Sequence, residues 1–120
     1  MISTIPTGIR RRLAQAERLW LFLYYDGTLA DYAPTPEIIL PDPELLDLLT
    51  RLAEQPHIWV SVVSGRRMSH IQELVPLPGI LLAGTYGVEL QMPGGERLDR
   101  LDLDDLRPPL AALKPQWEEL

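Results

Sequence analysis

Three short apolar runs divide the chain, and each ends abruptly in small or polar residues. They are residues 19–24, residues 58–63 and residues 80–83. The first two are six residues long and lack a regular polar–apolar alternation. Such runs are typical of strands that are buried on both faces of a parallel sheet. The pattern therefore predicts three buried strands.

Helical patterns separate these strands. Asp42 can cap a helix, and Pro43 is tolerated in the first turn of the helix that follows. An apolar face then recurs at helical spacing up to about Glu54, and its members are Leu45, Leu48, Leu49 and Leu52. A shorter helix is predicted over residues 67–74. Strand, helix, strand, helix, strand is the order of a right-handed parallel α/β layer.

Weaker patterns flank this layer. Residues 88–92 and 97–101 surround Pro93-Gly94-Gly95 and predict a hairpin. A proline-rich loop covers residues 33–41. The tail over residues 104–120 has a helical pattern that three prolines are expected to interrupt: Pro108, Pro109 and Pro115. We therefore predict an amino-terminal helix within residues 1–18 and one α/β core over residues 19–120.

Composition excludes several classes of function. The 120 residues fit one small domain, and the net charge of −6 argues against nucleic acid as a partner. Residues 10–12 are all arginine, but we interpret them as a solvated helix face. The chain has no cysteine, so disulfides and thiolate zinc sites are excluded. No apolar run approaches the roughly 20 residues that span a membrane. Without a secretory signal pattern, a cytoplasmic location is the expectation.

The ends of the three apolar runs carry the residues that could perform chemistry. They are Asp26-Gly27-Thr28, Ser64-Gly65-Arg66 and Gly84-Thr85. In parallel α/β folds, ligands gather at the carboxyl ends of the strands. One candidate site is therefore predicted on one edge of one sheet. The two histidines, His57 and His70, have no partner at metal-ligand spacing and are interpreted as surface residues.

Residues 21–30 resemble the first motif of the haloacid dehalogenase superfamily, in which a strand runs into Asp-x-Asp-Gly-Thr-Leu. The loop at residues 33–36 and the segments 62–66 and 83–89 resemble the trehalose-6-phosphate phosphatase branch. The resemblance covers about residues 19–120, which correspond to the first half of such an enzyme. It implies a partial Rossmann-like sheet of about three parallel strands with flanking helices and a hairpin. We expect a cap domain and the later core strands to be absent, because the chain stops about where the cap would begin.

The resemblance also implies roles. Asp26 matches the acid/base aspartate, which protonates the leaving sugar oxygen and then activates water. A phosphate group would be bound by the small and polar residues around it, namely Gly27, Thr28, Ser64, Gly65 and Arg66. For Arg66 two roles stay open, contact with the phosphate or anchoring of the Ser64 loop. Magnesium would bridge the nucleophile, the backbone carbonyl of Asp26 and later acids.

One position departs from this motif. The nucleophilic aspartate is replaced by Tyr24. A phenol is ordinarily protonated at pH 7, and it is longer than a carboxylate, so it is a poor nucleophile and a poor magnesium ligand. The family's later lysine and acids lie beyond the cap. Lys114, the single lysine, falls in the tail and is interpreted as a surface residue, and Glu89 as an exposed acid.

The sequence therefore predicts a sugar-phosphate phosphatase-like chain that has lost catalysis, either as a short degenerate relative or as a piece of a larger protein. The alternative is a binding or assembly module that holds phosphate or forms homo-oligomers without turnover. A third interpretation is residual activity with a partner chain that supplies the missing groups. The first strand would have an unpaired edge, which predicts a homodimer through this strand or its coverage by the amino-terminal helix or the tail.

Overall fold

A five-stranded mixed sheet forms the centre of the computed structural model, which describes residues 5–31 and 40–119. Its strands follow each other in chain order across the sheet. The elements are α1 (Thr7–Gln15), β1 (Leu19–Tyr24), α2 (Pro43–Ala53), β2 (Ile58–Val63), α3 (Met68–Leu74), β3 (Ile80–Gly84), β4 (Glu89–Gln91), β5 (Arg97–Asp99) and α4 (Leu103–Glu118).

The topology confirms the predicted α/β layer. Strands β1, β2 and β3 are parallel, and β4 and β5 add an antiparallel hairpin to β3. The hairpin turns at Gly95, whose φ of 97° suits glycine. The predicted loop at residues 33–41 lies mostly outside the described residues.

Helix α2 begins as its sequence predicts. The side chain of Asp42 accepts hydrogen bonds from the backbone N–H groups of Glu44 (3.0 Å) and Leu45 (3.4 Å). These bonds satisfy two of the donors that a helix start leaves without an intrahelical partner. Leu45 and Leu49 then bury the apolar face of the helix. The cap therefore sets where α2 begins.

The core lies on one face of the sheet. Helices α2 and α3 pack there against alternate side chains of β2 and β3, and the fully buried members include Leu49, Val62, Met68, Ile71 and Leu82. Replacing one of these leucines or isoleucines by alanine would cost about 2–5 kcal/mol. This one-sided core holds the carboxyl ends of β2 and β3 in place.

The prediction that β1 is buried on both faces is wrong. Its side chains alternate between partly buried and exposed, and Trp20, Phe22 and Tyr24 are 52%, 64% and 52% exposed. Since α2 and α3 both pack on the opposite face, these aromatic side chains have no helix above them in the described part of the chain. An apolar run alone cannot distinguish a covered strand from one whose second face is open.

The carboxyl-terminal helix differs from its prediction. Helix α4 is continuous through Pro108, Pro109 and Pro115, whereas α1 lies within the predicted segment 1–18. Proline has a helical φ, so it can remain in a helix at the cost of a backbone hydrogen bond and a close contact with the preceding turn. The side chains of α4 that the structure describes are all exposed. Packing in this chain therefore does not compensate for that cost.

Candidate functional site

The segments after β1, β2 and β3 meet at one edge of the sheet, as the sequence predicts. The N–H of Tyr25 donates to the carbonyl of Val63 (3.1 Å), and the N–H of Ser64 donates to the carbonyl of Ala83 (2.8 Å). Parallel strands share the direction of their carboxyl ends, so their exits are neighbours. This edge is the candidate site.

A tight turn follows β1. Gly27 has a φ of 81°, which a residue with a β-carbon rarely adopts. Its N–H donates to the carbonyl of Ala30 (2.7 Å), and the N–H of Ala30 donates to the carbonyl of Tyr25 (3.0 Å). The turn leaves Gly27 and Thr28 exposed at the mouth of the site. A ligand would therefore meet these two residues first.

Asp26 and Arg66 form the main polar contact of the site. The guanidinium Nη2 lies 2.9 Å from Oδ1 of Asp26, and Nε lies 3.0 Å from Oδ2. This two-pronged geometry is the strong form of a carboxylate–arginine pair. The hydrogen bond to Asp26 raises the pKa of Arg66, so this arginine remains charged. The side chain of Arg66 is 8% exposed and that of Asp26 is 22% exposed.

Ser64 lies beneath this pair. It is buried, and its Oγ accepts a hydrogen bond from the backbone N–H of Arg66 (2.9 Å). The side chain of Arg66 pairs with Asp26, and the two roles left open for Arg66 both stay predictions. Contact of Arg66, Ser64 or Gly65 with a phosphate stays a prediction.

Tyr24 ends β1 on the open face of the sheet. Its side chain is about half exposed, whereas the following Tyr25 turns into the core. A half-exposed phenol therefore occupies the place where the resemblance puts the attacking carboxylate.

The magnesium site expected from the resemblance does not fit the described residues. Haloacid dehalogenase phosphatases generally use magnesium, a cation that prefers carboxylate and carbonyl oxygens. Of the expected ligands, the carboxylate nucleophile is replaced by the phenol of Tyr24. The carboxylate of Asp26 does not take its place, because both of its oxygens accept hydrogen bonds from Arg66. Within residues 5–31 and 40–119, no group of three or more His, Asp or Glu side chains could hold a metal. We therefore assign no metal role to this edge.

A strained turn over residues Thr85–Gly87 completes the site, and no pattern in the sequence predicts its strain. Thr85 and Tyr86 have φ values of 48° and 54°. A left-handed conformation costs such residues about 1–2 kcal/mol each. The N–H of Thr85 donates to the carbonyl of Arg66 (2.7 Å), and that of Tyr86 to the carbonyl of Ser64 (3.0 Å). The turn is thus fastened to the Ser64 loop.

Glu89 stabilises this turn through hydrogen bonds, so its interpretation as an exposed acid is wrong. Its Oε1 accepts hydrogen bonds from the hydroxyl of Thr85 (2.5 Å) and from the N–H of Met68 (3.2 Å). Its Oε2 lies 3.2 Å from Nη2 of Arg97. One side chain, 15% exposed, thereby joins β4 and β5 to the start of α3 and to the strained turn.

Tyr25 lies on the core side of the same edge and is 3% exposed. Burial raises the pKa of Tyr25, nearby Asp26 and Asp42 raise it further, and Arg66 opposes the shift. The protonated phenol is therefore favoured more in the folded than in the unfolded chain.

This shift predicts a loss of stability at alkaline pH. The contribution of Tyr25 is fully present below about pH 10, the pKa of an unfolded tyrosine, and falls as the pH rises toward its folded-state pKa. Above pH 10, the free energy of unfolding should fall less steeply in Tyr25→Phe than in the parent. Urea unfolding at several pH values measures this difference, and parallel slopes would contradict it.

None of the helices in the described residues is both long and apolar enough to cross a membrane. The cytoplasmic location stays a prediction.

Solved structures with similar folds include a trehalose-6-phosphate phosphatase and a protein described as related to such enzymes. The Aspergillus fumigatus trehalose-6-phosphate phosphatase aligns with 91% of this chain at a TM-score of 0.71 and 20% identity, and the match covers 42% of that protein. A trehalose-6-phosphate phosphatase related protein aligns with 84% of this chain at a TM-score of 0.61 and 28% identity, over 41% of its own length. The predicted α/β fold is confirmed by these likenesses.

Curated relatives share a higher sequence identity with this chain than these two structures do, over shorter segments of the chain. The bifunctional trehalose-6-phosphate synthase/phosphatase of Thermoproteus tenax is 40% identical over 88 residues, which are 73% of this chain and 12% of that protein. The trehalose-phosphate phosphatase of Mycobacterium tuberculosis is 39% identical over 75 residues, 62% of this chain and 19% of that enzyme. The chain thus spans less than a fifth of the length of these two relatives. The trehalose-phosphatase family model matches residues 22–116, most of the chain, and the chain belongs to that family.

Proposed function

We propose that this chain binds the phosphate group of a sugar phosphate at the carboxyl ends of β1 and β2 and does not hydrolyse it. The observation that carries the proposal is Tyr24, a phenol at the end of β1 in a chain of the trehalose-phosphatase family. The Asp26–Arg66 pair links the two surrounding turns, at residues 26–28 and 64–66. The family places a nucleophile where this chain has none.

The geometry of the site supports binding of a phosphate ester more than its hydrolysis. A phosphoryl acceptor must be an activated nucleophile, and a protonated phenol is not one. Asp26 uses both carboxylate oxygens to hold Arg66, so it is placed to position that arginine rather than to donate a proton. With no metal role assigned here, none of the groups that the structure describes at this edge completes the attack on phosphorus.

Binding at this edge is expected to be weak. The positive charge of Arg66 is matched by the carboxylate of Asp26 at 2.9 Å, which leaves little net charge for an anion. The Thr28 hydroxyl and the exposed backbone around Gly65 supply the remaining polar contacts. We expect a dissociation constant on the order of 1 mM for inorganic phosphate, equivalent to about 4 kcal/mol. The sugar phosphate named in the relatives, trehalose 6-phosphate, is the proposed physiological class of ligand.

A phosphate titration followed by amide NMR tests this proposal. We expect saturable shifts confined to residues 26–28 and 64–66. Ser64→Ala should weaken binding about tenfold because a hydrogen bond in the anion-binding loop is lost. Ser69→Ala, an exposed serine on α3, is the matched control and should bind like the parent. If Ser64→Ala fails to fold, Thr28→Val replaces it. The absence of shifts at roughly ten times the expected constant would contradict the proposal.

A second proposal, assembly through β1, is favoured by a separate observation. This strand is outermost in the sheet and carries an exposed aromatic row on its open face. Trp20 stacks on Phe22 with centroids 5.0 Å apart and meets Trp59 edge-on at 5.4 Å. Exposed edge strands pair with other chains, and a two-fold axis would bring β1 against the same strand of a second copy. We therefore propose a homodimer with a continuous sheet.

Sedimentation measures this directly. The expected mass is twice the 13.6 kDa of one chain. Amide hydrogen exchange should show β1 protected on its outer side. A monodisperse monomer whose β1 amides exchange freely would contradict the dimer and leave the phosphate-binding proposal standing.

A further inference from the structure

Tyr86 projects from the candidate site into solvent. It is 77% exposed, yet its ring rests on the backbone of the Ser64 loop. A β-carbon placed at Gly65 would lie 2.5 Å from Cζ of the tyrosine ring and 2.7 Å from its hydroxyl oxygen. Because Gly65 has no side chain, the phenol can stand directly beside the segment between Ser64 and Arg66.

The chain holds this exposed ring in a strained conformation. Tyr86 has left-handed dihedral angles (φ 54°, ψ 35°), and so does the preceding Thr85. Hydrogen bonds from the N–H groups of both residues to the Ser64 loop, together with the Thr85–Glu89 contact, maintain the turn. Such strain persists only where the surroundings enforce it, and it concentrates at ligand sites.

Burial does not explain this arrangement. A side chain that is 77% exposed removes little apolar surface from water, so packing returns little of the energy that the strained backbone costs. The rigid turn fixes the position of the Tyr86 phenol beside the exposed Gly65, at the edge where the candidate site lies. A ligand whose phosphate lies at this edge would place its remaining atoms within reach of that ring.

We infer that Tyr86 is a specificity-determining residue, whose ring packs against the sugar of a phosphate ester bound at this edge. This inference rests on the proposed phosphate site and adds the part that distinguishes an ester from inorganic phosphate. The apolar face of an aromatic ring suits the C–H face of a sugar, and its hydroxyl can exchange hydrogen bonds with sugar hydroxyl groups. Glu89 acts as a positioning residue for the turn that carries the ring.

The affinities of two ligands distinguish a specificity role of Tyr86 from a purely structural one. Dissociation constants for trehalose 6-phosphate and for inorganic phosphate are measured by NMR titration in the parent and in Tyr86→Gly. Glycine tolerates a positive φ, so this variant removes the ring without adding backbone strain. We expect the affinity for trehalose 6-phosphate to fall about tenfold, while the affinity for inorganic phosphate stays within about twofold. Tyr86→Phe should retain most of the preference, since the ring remains.

Trp117→Ala is the control, because it removes an exposed aromatic side chain from α4 and should change neither affinity. Equal loss of both affinities in Tyr86→Gly would overturn the inference and assign Tyr86 to support of the Ser64 loop. Unchanged affinities for both ligands would also overturn it. If the parent binds trehalose 6-phosphate no better than phosphate, the specificity role is refuted while the phosphate site stands. If the parent binds neither, the proposed function itself fails.

Discussion

Replacing Gly84 by alanine is expected to destabilise the fold by about 1–3 kcal/mol, the usual cost of overpacking. The backbone conformation is not the cause, since Gly84 is extended (φ −98°, ψ 166°) and alanine adopts these angles freely. The cause is contact with main-chain atoms. An added β-carbon would lie 2.8 Å from the nitrogen of Met68 and 3.1 Å from the carbonyl oxygen of Arg66. Neither atom can rotate away, so α3 must move.

The same displacement should disturb the candidate site, because Arg66 and Thr85 are hydrogen-bonded across this contact. Gly8→Ala is the matched control. Nothing lies within 4 Å of a β-carbon at Gly8, and this glycine is in helix α1. Alanine should therefore stabilise that helix by up to about 1 kcal/mol. Urea unfolding of both variants measures the difference. Equal stabilities of Gly84→Ala and the parent would show that α3 is not pressed against β3.

Replacing Arg66 by methionine is expected to have the second large effect. The carboxylate of Asp26 would lose three hydrogen bonds while remaining mostly enclosed. Breaking a fully buried pair costs about 3–5 kcal/mol. Because Asp26 is 22% exposed and water can reach it, we expect about 1–3 kcal/mol here. Phosphate affinity should fall as well, since the cation of the site is removed.

A double-mutant cycle separates the pair from its surroundings. Asp26→Asn combined with Arg66→Met should be less destabilising than the sum of the two single changes. When both residues are replaced, neither a carboxylate nor a guanidinium is left without its charged partner. Arg51→Met is the control. Arg51 forms an ion pair with Asp47 in which both side chains are 68% exposed, so the stability should hardly change. Additive single effects in the cycle would contradict a direct Asp26–Arg66 interaction.

The sequence predicts elements well where the signal is local. The cap at Asp42 and the leucines that follow it specify α2, and Pro93-Gly94-Gly95 specifies the hairpin. The convergence of the three strand exits also follows from sequence, since parallel strands end on the same edge. The family resemblance placed Tyr24 at the nucleophile position, a role that the structure does not test.

The features that the sequence does not predict depend on contacts between distant segments. Asp26 and Arg66 are 40 positions apart, and neither residue indicates the other. The buried role of Glu89 arises only when the hairpin folds onto the start of α3. The left-handed turn at Tyr86 has no glycine at its strained positions, so no local pattern indicates it. The open face of β1 is not predictable from the sequence, because apolarity does not show whether a helix covers a strand.

Phosphate release from trehalose 6-phosphate tests the central claim most directly. The parent chain is incubated with magnesium at a ligand concentration that saturates the NMR shifts, beside Tyr24→Asp and a blank. We expect the parent to release no more phosphate than the blank, because binding proceeds without a nucleophile. Release of phosphate by Tyr24→Asp alone would show that the Tyr24 side chain is what prevents hydrolysis in the parent chain. Magnesium-dependent release by the parent, abolished in Asp26→Asn, would contradict the claim that this chain binds without hydrolysis.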